Sequence, residues 1–95
     1  MKILAIEKVI DGVTNEQFGP HLKSEAREVW QLYKSGIIRE LYFTTNDNRA
    51  VLILECGNEI EAESFLNDLP LVKEALIQFE ILPLKAYEGF ERLFT

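Results

Sequence analysis

His21 is the only histidine in the chain, so it is the only side chain whose unperturbed pKa lies near neutrality. Glu25 follows four residues later, one turn up the same flank of a helix. An imidazole and a carboxylate at that spacing could share a hydrogen bond, which would raise the His21 pKa and fix its tautomer. That is the arrangement of an oriented proton carrier. The plain alternative is a solvated helix start. Arg39 stands in an apolar run, with Ile37, Leu41 and Phe43 on the same face of a strand. Three uses are open to a cation in such company. It could be a bidentate clamp on a ligand carboxylate, an internal partner for Glu7 or Glu55, or an edge charge that blocks aggregation. Tyr42 alternates to the opposite face, where it either contacts a ligand or packs at an interface. Glu7, Glu55 and Glu80 each interrupt an apolar run, and burial would raise the pKa of any of them toward that of a general base. Glu7 ranks first, because its strand is central in the topology derived below. Trp30 and Tyr33 are read as core at their helical spacing, and the single Cys56 as structural.

The chain carries no Gly-rich dinucleotide loop, P-loop or nucleophile elbow, and one histidine with no clustered ligands gives no metal site. No cofactor is therefore expected.

The elements that must position these groups follow from periodicity and punctuation. Residues 2–10 (KILAIEKVI) are rich in Ile and Val and read as a strand ended by Asp11-Gly12. Thr14 is a candidate helix N-cap, and Gly19-Pro20 marks a break from which the main helix runs to about Ser35, with Gly36 as its C′ residue. Leu22, Ala26, Val29, Trp30 and Tyr33 form its apolar face. Residues 37–45 and 49–56 form a hairpin around the turn Asn46-Asp47-Asn48. Asn58 caps a second helix over 59–68, with Glu61 at the capping-box position, and Pro70 opens a further short helical turn. Residues 77–84 are the fourth strand. Its Pro83 cannot donate to a ladder, which puts the strand at a sheet edge or the Pro at the strand's end.

The order β-α-β-β-α-β is the ferredoxin-like unit of an α+β protein, a four-stranded antiparallel sheet with both helices on one face. The strands are apolar on both faces, unlike those of a sheet with one wet side. Two such sheets packed face to face would make a dimeric α+β barrel. The single domain spans residues 1–95, with 86–95 as an apolar arm that could reach a partner.

Composition narrows the partners. Lys plus Arg is 10 and Asp plus Glu is 16, a net charge of -6. An acidic chain lacks the basic patch that nucleic acid or anionic lipid requires. No apolar run approaches the roughly 20 residues of a membrane helix, and Glu7 and Lys8 interrupt the N-terminal apolar stretch too early for a secretory signal. The cytoplasm is the default compartment, and the expected partners are a second copy and a small-molecule ligand.

Leu22-Lys23-Ser24-Glu25, Gly36-x-x-Arg39-x-Leu41-Tyr42 and Leu69-Pro70-Leu71 together resemble the muconolactone Δ-isomerase family, as does the closing Glu80-x-x-Pro83-Leu84. The resemblance covers roughly residues 20–85. It implies the dimeric ferredoxin-like barrel and a cofactor-independent double-bond isomerisation on a small anionic unsaturated lactone or ring compound. His21 would move the proton, Glu25 would orient it, and Arg39 would hold the carboxylate, with Tyr42 and Glu7 at the substrate. Rings built from dimers are known in the family. The chain departs from the pattern in its aromatic tail and in Tyr42, where the isomerases tend to carry Trp. A non-catalytic dimeric module that binds a small metabolite or simply assembles is the alternative reading.

Overall fold

A computed structural model describes residues 1–95. The first strand, β1 (Lys2–Val9), lies inside the sheet, flanked by β3 (Ala50–Glu55) and β4 (Ile77–Leu84). β2 (Ile38–Phe43) completes the order β2-β3-β1-β4, and every pairing is antiparallel. Pro83 therefore sits on an edge strand, as its missing donor requires.

The helical stretch before β2 is broken in three. A short helix α1 (Asn15–Phe18) leads through a 3-10 turn over Gly19–His21 into α2 (Leu22–Lys34). The sequence reading ran one helix from the Gly19-Pro20 break. The structure tightens the first turn and begins the regular helix after His21. Thr14 caps α1 through its backbone, donating its N–H to Gln17 Oε1 at 2.7 Å. α2 closes in a Schellman motif. Gly36 takes φ +84°, its N–H donates to Tyr33 O, and the Ile37 N–H donates to Leu32 O. After the hairpin, Asn58 Oδ1 accepts from the Glu61 N–H at 2.8 Å and starts α3 (Glu59–Asn67). Pro70 opens α4 (Pro70–Lys73), which ends in the same Schellman geometry with Ala75 at φ +58°.

The helices cover one face of the sheet. Ile3 and Ala5 of β1, Leu52 and Leu54 of β3, and Ile38 of β2 are buried there with Ala62 and Leu66 of α3 and with Leu69. α3 packs close because it presents a small residue to the sheet. α2 does not. None of its residues is fully buried, and only Val29 and Leu32 lean on the core. The other face of the sheet, with Leu4, Ile6, Val51, Ile53 and Leu82, carries no element of the chain.

Residues 85–95 leave the sheet as an arm ending in a 3-10 segment over Gly89–Phe94. Tyr87, Phe90, Leu93 and Phe94 are each two-thirds exposed or more. The radius of gyration is 15.4 Å, against about 12 Å for a compact chain of this length, and an extended arm lengthens the molecule in this way.

Candidate functional site

Because α2 stands away from the sheet, a cavity of about 800 Å³ opens between them. Its floor is the helix-covered face of the sheet at the Val9 end, including Ala50, Leu52 and Phe79. The small side chain of Ala50 is one reason the space is not filled. Its wall is α2, from Leu22 to Tyr33. Trp30 and Tyr33 lie on that wall, stacked at 6.0 Å between ring centroids, and stay 55% and 45% exposed. The sequence reading placed them in the core. The structure puts them at the rim, because the surface opposite them recedes.

Two carboxyl groups enter this apolar space. Glu7 is the only charged residue in the core, 9% exposed. Its sequence alternates with Ile3 and Ala5, so the strand has to turn it to the helix-covered face. Beyond the last ladder pair, Ile6 with Val51, Glu7 Oε1 accepts from the Ala50 N–H at 3.0 Å. Glu25 is half-buried on α2, and its Oε1 accepts from the Leu71 N–H at 2.9 Å. Leu71 lies in the first turn of α4, where a backbone N–H has no partner inside its own helix. The second oxygen of each carboxyl makes no hydrogen bond within the chain.

Burial pushes the Glu7 carboxyl above the ordinary glutamate range. The Ala50 N–H and the Arg49 charge oppose this, and Asp47 adds to it. Burial also pushes Glu25 up, against the Leu71 N–H, and the charges of Glu7 and Glu28 raise it further. The charge of Glu7 thus reaches Glu25. A pair of carboxyls held above their usual range in an apolar site is suited to taking and returning protons.

The other residues singled out by sequence lie elsewhere. His21 ends the 3-10 turn and lines a shallow polar depression with Ser24, Glu28, Asp68 and Lys73. It does not pair with Glu25, whose carboxyl is turned to Leu71. Arg39 corrects the alternation argument. A bulge between Ile38 and Glu40 adds one residue to β2, so Arg39 leaves the face shared by Leu41 and Phe43. It is exposed, and its Nε donates to Gly36 O at 2.6 Å. Tyr42 pairs with Val51 on the uncovered face and donates its hydroxyl to Glu40 Oε1 at 2.8 Å. Of the five residues, the cavity gathers Glu7 and Glu25, and it does not gather His21, Arg39 or Tyr42. Burial raises the Cys56 thiol, consistent with a structural residue. No three His, Cys, Asp or Glu side chains are grouped to hold a metal, and no helix is long and apolar enough to cross a membrane.

The signal for the rim was present but misread. The apolar stripe of α2 includes Trp30 and Tyr33 beside Val29, but only Val29 and Leu32 of this helix reach the core.

No protein-family model matches the sequence, and no curated protein sequence matches it. Solved structures do match. The 5-chloro-2-hydroxyhydroquinone dehydrochlorinase of Burkholderia phenoliruptrix AC1100, solved with 2,5-dihydroxybenzoquinone, superposes with a TM-score of 0.73 at 19% identity. The match covers 94% of this chain and 98% of that one. A muconolactone isomerase superposes with a TM-score of 0.73 at 15% identity, over 94% of this chain and 93% of the other. The likeness is one of fold at these identities. The chain thus has the ferredoxin-like α+β fold of muconolactone isomerase, the fold to which its motifs pointed.

Proposed function

We propose that this chain is a cofactor-independent enzyme that moves a proton on a small unsaturated ring compound, an isomerase-like activity in the cavity between α2 and the sheet. One observation carries the reading: two carboxyls, each with an oxygen free of hydrogen bonds, enter one apolar cavity of about 800 Å³. In this reading Glu25 or Glu7 takes a proton from the carbon beside a carbonyl. A carboxyl then delivers a proton to the far carbon of the shifted double bond. Nothing else enters or leaves, so atoms balance without a cofactor. The Ala50 and Leu71 N–H groups fix the two carboxyls, and burial strengthens the proton affinity of the one that acts as base. The muconolactone isomerase fold supports the reading by analogy.

The test is NMR of the protein with muconolactone and with its uncharged primary amide. Double-bond migration in either, above the protein-free rate, is expected. Absence of migration in both would remove the activity.

His21 and Arg39 stand apart from the cavity, and this favours one second reading, a module that binds the same ligand without turnover. That reading gives ligand-induced thermal stabilisation and no product.

In either case the chain would work as a homodimer. The sheet face bearing Leu4, Ile6, Val51 and Ile53 has no cover from its own chain, and the arm presents Tyr87, Phe90, Leu93 and Phe94 to solvent. A second copy that brings the same face and arm would cover both, closing the α+β barrel.

A further inference from the structure

The cavity between α2 and the sheet holds charge of one sign. Glu7, Glu25 and Asp47 are among its lining residues, and no lysine, arginine or histidine is. Two cations stand near it, and the charge of Arg49 reaches Glu7. Arg49 Nε lies 2.9 Å from Asp47 Oδ2 at the hairpin turn, and Arg39 Nε is bonded to Gly36 O outside the cavity. Asp47 is further committed to the Thr44 hydroxyl. The groups left to meet a ligand are the free oxygens of Glu7 and Glu25 and the neutral Asn15, Asn48 and Tyr33 side chains, set among Val29, Leu52 and Phe79.

We infer that the cavity takes an uncharged unsaturated ring bearing a hydroxyl or amide N–H donor, and that it rejects a ring bearing a carboxylate. The inference rests on the proposed role of the cavity and names its ligand class. A hydroxyl or amide N–H can donate to a free carboxyl oxygen while the ring fills the apolar remainder. An anion would leave water for an apolar site lined by two carboxyls and by no cation, the costliest combination on offer. An ammonium fares less well than a neutral donor, because it would shed a full shell of hydrating water to enter the apolar cavity. The expectation of an anionic substrate depended on Arg39, which the bulge in β2 carries out of the site.

Three probes of nearly equal size separate the cases: 4-hydroxybenzamide, 4-hydroxybenzoate and 4-hydroxybenzylamine, titrated into the protein near neutral pH by calorimetry. The amide is expected to bind about 10-fold or more tightly than the benzoate, since the isosteres differ only in charge. Glu25→Gln should narrow that gap by relaxing the exclusion of the benzoate, with a backbone amide NMR spectrum confirming that the variant is folded. Equal or tighter binding of the benzoate, or tightest binding of the benzylamine, would overturn the ligand class and leave the cavity as a binding site. Binding of none of the three at millimolar concentration would overturn the cavity reading, and this inference with it.

Discussion

Replacing Glu25 separates its two duties. Its Oε1 accepts from the Leu71 N–H at 2.9 Å, and Leu71 is 7% exposed at the start of α4. Glu25→Ala strands that donor. An unpaired buried polar group costs about 1–3 kcal/mol. Against this, the substitution removes a carboxylate that burial disfavours, as the raised Glu25 pKa reports. The net loss expected is about 1–2 kcal/mol. A domain of this length loses about 4–8 °C per kcal/mol, so the melting temperature should fall by about 4–16 °C. Glu25→Gln keeps an acceptor oxygen in the same place, and its stability should stay within about 0.5 kcal/mol of the parent. The amide cannot accept and return a proton at that oxygen, so turnover should fall about 100-fold or more in the same variant. Circular dichroism melts of the three proteins near pH 7, beside their turnover, read both effects. Equal destabilisation by Gln and Ala, or an Ala variant as stable as the parent, would refute the hydrogen-bond argument. A Gln variant with full turnover would refute the proton-transfer role.

Three further outcomes follow from particular residues. Glu7 and Glu25 titrate in the folded chain above the ordinary 4.5. The folded state therefore binds more protons than the unfolded one between that value and the raised ones, and stability falls as pH rises through that window. Asp47 is held below its ordinary 3.8, first by the Thr44 hydroxyl, so its contribution disappears only as pH drops below that value. The stability of the parent minus that of the Glu7→Gln, Glu25→Gln double variant should decline with rising pH above 4.5. A difference that stays flat from acid to neutral pH would contradict this. Ala75 sits at φ +58° after α4, so Ala75→Gly should stabilise the chain by about 0.5–1 kcal/mol in urea unfolding, and a loss would contradict the strain. Ile53→Lys on the uncovered sheet face should convert a dimer of about 22 kDa, twice the 11.0 kDa chain, to monomer by light scattering. A parent already monomeric at micromolar concentration would refute the dimer.

Much of the fold was legible because each element announces its own end. Gly36, Asn58 and Pro70 act through local hydrogen bonds, and those bonds form as the residue types dictate. Pro83 likewise marked an edge strand or a strand end, and it stands on an edge. The site was only partly legible, for two physical reasons. Alternation assigned Arg39 to a strand face, but a bulge shifts every later residue by one position, and nothing in the residues around Arg39 signals it. Helical spacing showed that Trp30 and Tyr33 share a face with Val29, but not how far that face stands from the sheet. That distance depends on how the helices settle on the sheet, which is a property of the packed chain. Glu7 and Glu25 were visible as carboxylates in apolar company. Their meeting in one cavity depended on the tertiary structure.

The central claim, that Glu7 and Glu25 exchange protons with a ring compound in the cavity, is tested most directly by deuterium entry. The parent, Glu7→Gln and Glu25→Gln proteins would be incubated with the primary amide of muconolactone in D₂O and followed by NMR. The account predicts deuterium beside the carbonyl with the parent, and slower entry by about 100-fold or more when the responsible carboxyl is replaced. Deuterium entry at the parent rate in both variants would contradict it, as would no entry with the parent above the protein-free rate.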